Sequence, residues 1–455
     1  MKKKEIEQQI EAGNFTLVEK QIDSLLSSTI IEPGEEVELD SLKQIMQRIR
    51  LDFKLTQQQV KTQLGFYFDD LTDSQIEAWE QSGKLEMRLI DQEKKYFNNA
   101  VPNLFRIDAE AKAFKQKRFG IQVDSLDLFC LEHTKKVIEA SQNSSDPVLA
   151  TDMILTYTLQ VKPNVVPPGT TLKCWLPLPR EGKARQRNFS LLSSNPKEVI
   201  IAPADYLQRT AYMEKETEKD RPTIFQIQFS IQTLAQYFDL KLTDIHPYNT
   251  QSELYKHYTE ERPPHLTFTP EIKALGSRIV GNETNPLLKV DKIYQWINDS
   301  IPWASALEYG TIPNIPDYVM NCRHGDCGMQ TLLFMSLARS QGIPAKWQSG
   351  FMLHPKHVNL HDWCEVYYEG IGWVPLDQSF KLQKSEDKQI RNFYVHGIDS
   401  YRLIVNDDYA QELYPPKKYL RSEPYDFQRG EVEWDGGNLY FDQWSWNMDV
   451  ERIIP

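Results

Sequence analysis

Apolar side chains recur along this chain with three successive periods, and each change of period marks a change of architecture. Over residues 1–140 the spacing is helical: Leu42, Ile45, Met46, Ile49, Phe53, Val60 and Leu64 share one face with a single slip. Thr72 with Gln75 forms a capping box ahead of Ile76 and Trp79. Leu85, Met87 and Leu89 then alternate as in a strand, and Asp91-Gln92 suits a turn back toward Tyr96. These signals predict a mainly helical N-terminal domain over 1–140, with a winged-helix-like outline of two helices and a hairpin. The polar stretch 141–147 reads as a linker.

Beyond it the period becomes two. Met153, Leu155, Tyr157, Leu159 and Val161 alternate with polar residues, as do Leu172, Cys174, Leu176 and Leu178, and Phe225, Ile227, Phe229 and Ile231. Half-buried antiparallel strands have this pattern, which predicts a β-sandwich-like domain over 148–245. Helical spacing returns near 265 with clear punctuation. Thr269-Pro270 suits the start of a helix burying Ile272, Leu275 and Ile279 and ending at Gly281. Asn285-Pro286 opens a second, with Val290, Ile293 and Ile297 inward. A third begins at Asp326-Cys327-Gly328, buries Met329, Leu332, Leu333 and Leu337, and stops at Gly342-Ile343-Pro344. Strands are expected at 345–353, 361–368 and 372–378, with His354 and His357 in a solvated loop between the first two. Helices followed by antiparallel strands make an α+β core over 250–380. Residues 381–455, rich in aromatics (Trp434, Trp444, Trp446), are expected to pack on the core as an extension.

Composition narrows the function classes. The 455 residues carry 52 Lys plus Arg against 64 Asp plus Glu, a net charge of −12. That length suits two to four domains at roughly 100–200 residues each. An acidic balance does not favour a phosphate backbone, so no nucleic-acid partner is expected. No apolar run approaches the roughly 18–20 residues that span a bilayer, so no membrane span is expected. The basic start, Met1 to Lys4, runs into Glu5-Ile6-Glu7 without an apolar region. The expected compartment is the cytoplasm for the chain as it stands, or the exterior if a leader has been removed. Five cysteines (Cys130, Cys174, Cys322, Cys327, Cys364) are too few and too odd in number for a disulfide framework.

Cys327 sits at the expected first turn of an amphipathic helix, where unpaired N–H groups and the helix dipole favour thiolate. In His361-Asp362-Trp363-Cys364-Glu365-Val366 the strand period puts His361, Trp363 and Glu365 on one face and Asp362, Cys364 and Val366 on the other. A tight turn at 369–372 returns Asp377 within reach of His361. A thiol nucleophile needs a base, and the base needs a partner that fixes its orientation. Cys327, His361 and Asp377 supply the three types. Zinc is the rival reading, with Cys322, His324, Cys327, His361 and Cys364 as potential ligands. No Cys-x-x-Cys pair supports it, and the strand period turns Cys364 away from His361.

Three blocks also resemble the transglutaminase-like superfamily: Asn285-Pro286 with Ile293-Tyr294-Gln295-Trp296-Ile297; Gly325-Asp326-Cys327-Gly328 with Gly342-Ile343-Pro344-Ala345 and Ser349-Gly350; and His361-Asp362-Trp363, Glu365-Val366 and Gly372-Trp373-Val374-Pro375-Leu376-Asp377. The β-rich region, especially Leu176-Pro177-Leu178-Pro179, is similar to the domain that often precedes such cores in bacterial members. The resemblance implies a papain-like, transglutaminase-like core with Cys327 as nucleophile, His361 as base and Asp377 as its partner, working without a cofactor. It implies acyl transfer at an amide through a thioester, with a peptide, a protein or an amide-bearing glycopeptide as substrate. Hydrolysis is the favoured outcome; transamidation (cross-linking) and a vestigial binding protein are the alternatives. The Cys327 N–H is a natural oxyanion donor, with Trp303 or Asn321 as a second and Trp363 as a cleft wall. Asp362 departs from the family pattern, which usually has a small residue beside the histidine. No acidic cluster has calcium-loop spacing, so calcium activation is not expected.

Overall fold

The computed structural model describes residues 3–27, 33–142 and 144–453. They divide into two compact units: the chain up to Gln122 together with Pro302–Pro313 and Met320–Gly325, and a larger unit of Val123–Ile301, Asn314–Val319 and Asp326 onward.

The first unit contains helices α1 (Lys3–Glu11), α2 (Phe15–Leu26), α3 (Pro33–Asp52), α4 (Gln57–Gly65) and α5 (Asp73–Gln81), strands β1 (Met87–Ile90) and β2 (Glu93–Tyr96), and helices α6 (Ala100–Ile107) and α7 (Ala109–Phe119). Local chemistry sets the boundaries. Thr56 with Gln59 and Thr72 with Gln75 form capping boxes that start α4 and α5. Asp91 and Gln92 both have positive φ, as a two-residue hairpin turn between twisted strands requires. The returning segment is tied in by backbone and side chain: Asn103 Nδ2 donates to Ser305 O at 2.9 Å, and Glu308 N donates to Asp52 Oδ2 at 3.0 Å.

The second unit opens with α8 (Ser125–Ser141), which resembles the preceding helices in composition but packs Cys130 and Val137 against Ala235, Tyr237 and Phe393. Strands β3 (Val148–Val161), β4 (Thr171–Pro177), β5 (Gln186–Asn195), β6 (Ile200–Ile201), β7 (Thr210–Glu216) and β8 (Thr223–Tyr237) follow. Every second residue of β8 from Thr223 to Ile231 is buried, which is the burial half of the period read from the sequence. Next come α9 (Glu253–Thr259), α10 (Pro270–Val280), α11 (Pro286–Ser300), α12 (Ile315–Cys322, whose residues from Met320 on belong to the first unit) and α13 (Cys327–Ser340). Thr269 and Asn285 cap α10 and α11, each with proline at the first helical position. The chain ends in β9 (Ala345–His354), β10 (His357–Tyr368), β11 (Gly372–Leu376), α14 (Lys388–Arg391), β12 (Gly397–Ile398), β13 (Arg402–Asn406), β14 (Glu431–Trp434), β15 (Gly437–Leu439) and β16 (Trp444–Ile453).

Three sheets organise this unit, in the orders β11-β10-β9-β13, β12-β8-β3-β16 and β15-β14-β4-β7-β6, with β5 also on β8. The two larger sheets share a core of Leu155, Tyr157, Leu176 and Phe229 that continues into Phe351, Leu353 and Leu403 of the four-stranded sheet. The segment 381–455 supplies β12 to β16, with at least one strand in each of the three sheets. Helix α13 lies against β9 and β10, buried from Gly328 to Arg339. The architecture is α+β: a helix-and-sheet core joined to further β-sheets and preceded in the chain by helices.

His354 and His357 are not in a solvated loop. They are opposite residues closing the β9–β10 hairpin over a two-residue turn, Pro355-Lys356, in which Lys356 has positive φ. A turn this short leaves His354 fully buried.

Candidate active site

Asp326 caps α13 through its side chain, which accepts from Met329 N at 3.0 Å, while its carbonyl accepts from Gln330 N at 3.0 Å. Cys327 is the first helical residue; the residue as a whole is half-buried and its thiol is enclosed.

His361 stands on β10 opposite Gly350 of β9. Its Nε2–H donates to Asp377 Oδ2 at 2.9 Å. Asp377 follows β11 directly and is held at its backbone: its N–H donates to Tyr394 O at 2.9 Å, and the Tyr294 hydroxyl donates to its carbonyl at 2.8 Å. Arg402, at the start of β13, adds Nε and Nη2 to the same Oδ2 at 3.1 and 2.8 Å. Burial pushes the Asp377 carboxyl up, but His361 and Arg402 outweigh it and hold the group below the usual carboxylate range.

The sulfur has a different partner. Cys327 Sγ–H donates to Asp362 Oδ2 at 3.4 Å, and the backbone N–H of Asp362 also points at it. Among the described residues no hydrogen bond joins the sulfur to the His361 ring. Asp362 is 2% exposed. Its Oδ1 accepts from Gln428 Nε2 at 2.9 Å, and the same nitrogen reaches His361 O at 2.8 Å and Gly350 O at 3.1 Å. Burial first, then Asp426 and Asp326, push the Asp362 carboxyl well up. Burial first, then Asp362 and Asp326, push the Cys327 thiol well up. A helix N-terminus favours an anion by typically 0.3–1 kcal/mol, and up to about 2 kcal/mol. Two like charges about 4 Å apart at an effective dielectric of about 20 oppose each other by about 4 kcal/mol. Burial of the thiol, with Asp362 from β10 and Asp326 at the helix cap, outweighs the dipole, so the expected preference for thiolate at this helix start is reversed.

The other residues singled out from the sequence take varied places. Trp363 is fully buried and donates Nε1–H to Gln348 Oε1 at 2.8 Å, while the His361 ring stacks 5.9 Å from it. Cys364 is fully buried with its thiol pushed well up by burial, an inert packing cysteine. Trp303, Asn321, Cys322 and His324 belong to the first unit. There Trp303 pairs with Gly325 and lies under the Arg106 guanidinium at 4.7 Å. Asn321 is exposed, Cys322 donates Sγ–H to His324 O at 3.3 Å, and burial pushes the His324 ring down to about 4.

Among the described residues, the side chains close enough to share an ion are Cys130, His354 and Asp399, all buried. A guanidinium already stands among them. Arg402 Nη1 lies 3.1 Å from His354 Nε2 and from Asp399 Oδ2, and Tyr394 donates its hydroxyl to Asp399 at 2.9 Å. Asp399 is driven up by burial but held well below its usual range, chiefly by Arg402. Burial pushes His354 down to about 4 and the Cys130 thiol up to about 12. A protonated arginine among the donor atoms opposes a divalent cation, so the cluster is an extension of the Asp377 ion network. The sequence carried a faint signal for it, an acid and an arginine three residues apart at 399 and 402. Asp362 was visible as a departure, and Gln428 gave no local signal.

Residues 273–378 match the family model described as the transglutaminase-like superfamily. This segment is a transglutaminase-like domain. Its bounds include Cys327, His361, Asp362 and Asp377, and leave out Arg402 and Gln428, which reach it from the C-terminal segment. An uncharacterized protein of Haemophilus influenzae is 24% identical over 356 residues, covering 66% of this chain and 92% of its own length. Among solved structures, a proposed cysteine protease of Cytophaga hutchinsonii aligns with a TM-score of 0.46 at 16% identity, covering 67% of this chain and 91% of that one. The periplasmic domain of TgpA from Pseudomonas aeruginosa aligns with a TM-score of 0.28 at 12% identity, covering 55% of this chain and 91% of that one.

Proposed function

We propose that this protein is a thiol-dependent acyl-transfer enzyme acting on amide bonds of peptides or proteins, with hydrolysis as the outcome. The observation that supports it most is one arrangement within the transglutaminase-like domain. A half-buried cysteine opens a buried helix, and His361 is held by Asp377 at 2.9 Å in the same unit. In this reading Cys327 gives its thiol proton to the His361 ring, its sulfur attacks the amide carbonyl carbon, and the carbonyl π pair moves onto oxygen. The Cys327 N–H is a natural donor for that oxyanion; one such donor contributes about 2.7–4 kcal/mol in comparable acyl-transfer sites. His361, oriented by Asp377, protonates the departing amine, leaving a thioester. The neutral ring then takes a proton from water, whose oxygen displaces the sulfur. Large folded segments on both sides of the domain favour a restricted cleft, and with it a small nucleophile such as water over a second protein chain.

Incubation with a peptide library plus a primary amine, read by mass spectrometry, tests the reading. Hydrolysed peptides and an acyl adduct on Cys327 are expected, both lost in Cys327→Ala. Amine-capped products in excess of acids would make the enzyme a transamidase, and turnover that persists in Cys327→Ala would sink the thiol mechanism.

A further inference from the structure

Asp362 touches the sulfur on which the proposed reaction depends. We propose that Asp362 restrains the nucleophile: its carboxylate takes the hydrogen bond of the Cys327 thiol and opposes an ionised sulfur, so that the resting enzyme keeps Cys327 protonated near neutral pH. This rests on Cys327 being the nucleophile.

The contact is built rather than incidental. Asp362 Oδ2 faces Sγ at 3.4 Å, and its other oxygen is fixed by Gln428 at 2.9 Å. Gln428 is itself anchored on the backbone of both central strands, through His361 O and Gly350 O, and by its own N–H donating to Glu423 Oε2 at 2.8 Å. The carboxylate therefore cannot swing away from the sulfur without breaking a buried amide contact. The charged groups acting on this pair are acidic on each side. Asp326 caps the helix of Cys327, Asp426 and Glu423 come from the C-terminal segment, and Glu423 is paired with Arg429. Arg402 is engaged with Asp377 and Asp399.

Two acids in contact lose their protons in separate steps. While Asp362 is ionised, the remaining proton sits on sulfur and blunts attack, alkylation and oxidation, which all require thiolate. His361 takes the thiol proton only as the sulfur attacks, and then passes it to the departing amine. Asp362 is thus a catalytic residue by contact with the reacting sulfur, and it acts by setting the pH at which that sulfur becomes reactive.

The test is the pH dependence of iodoacetamide alkylation at Cys327 in the full chain, followed site by site by mass spectrometry. In the unsubstituted protein the thiolate midpoint is expected above the ordinary thiol value of about 8.5. Asp362→Asn keeps the shape and removes the charge; it is expected to move the midpoint down by about one pH or more, raising alkylation below both midpoints about tenfold. The acid limb of kcat/KM should move the same way, which a merely structural contact would not produce. A midpoint below about 8.5 in the unsubstituted protein overturns the proposal without any variant. So does an unchanged or higher midpoint in Asp362→Asn. If Cys327→Ala is inactive and those midpoints fail, only the restraint falls; if Cys327→Ala still turns over, the thiol mechanism itself falls.

Discussion

Arg402 is 1% exposed and lies between two carboxylates that are themselves buried, Asp377 and Asp399. A guanidinium suits this place because its planar fork donates to both acids at once, while its ring-facing surface lies 3.9 Å over Phe380. Replacing it by methionine keeps the volume and strands both acids. The expected cost is about 3–5 kcal/mol near neutral pH, measured by denaturant unfolding. The pH dependence has a definite sign. Both carboxyls lie below their ordinary range in the folded protein, so they add stability above the ordinary carboxylate pKa, and it is lost as pH falls through the folded values. Without Arg402, burial dominates and the folded state prefers protonated acids. The gap between Arg402→Met and the unsubstituted protein should therefore be widest near neutral pH and narrow as pH falls toward about 4. A constant gap would show that lost packing, not charge, sets the cost.

At the scale of elements, the site depends on how closely β9 approaches β13. Gly350 pairs with His361 on one side and Ile404 on the other. A Cβ there would meet Leu403 O at 2.1 Å and Val405 N at 2.9 Å, both backbone atoms of the neighbouring strand. Gly350→Ala must push β13 outward, loosening the strand that carries Arg402. A loss of about 1–3 kcal/mol is expected, with faster amide exchange along 402–406 than in helices of the first unit. Unchanged exchange there would mean that the sheet absorbs the methyl elsewhere. The element boundaries were the legible part of the sequence. Thr72, Thr269, Asn285 and Asp326 all cap helices, because a cap is settled by residues within one turn. The two-residue turn at 355–356 was missed because histidine and proline near a charged residue read equally well as an open loop.

Across the second unit, the C-terminal segment completes sheets begun some 280 residues earlier in the chain. Strand β16 pairs with β3 from Trp444–Val161 to Ile453–Asp152, and β14 pairs with β4. Ending the chain at residue 430 removes β14 to β16 and exposes Leu155, Tyr157 and Cys174, which are fully buried. Such a chain is expected to lose cooperative melting and to accumulate as aggregate, because two long strand edges become open at once. A soluble truncated protein with a sharp transition would show that the transglutaminase-like domain folds without them. What the sequence determined by itself is what short-range physics controls: the helical and alternating periods, the caps, the α+β class, the cysteine at a helix start, and the strand register that lets Asp377 reach His361. What only the tertiary structure decided is the company those groups keep. Asp362, which touches the sulfur, is held by Gln428 from 66 positions away, and Arg402 joins Asp377 across 25. The proton affinity of a buried group is set by charges within a few ångströms in space, and sequence distance carries no record of them.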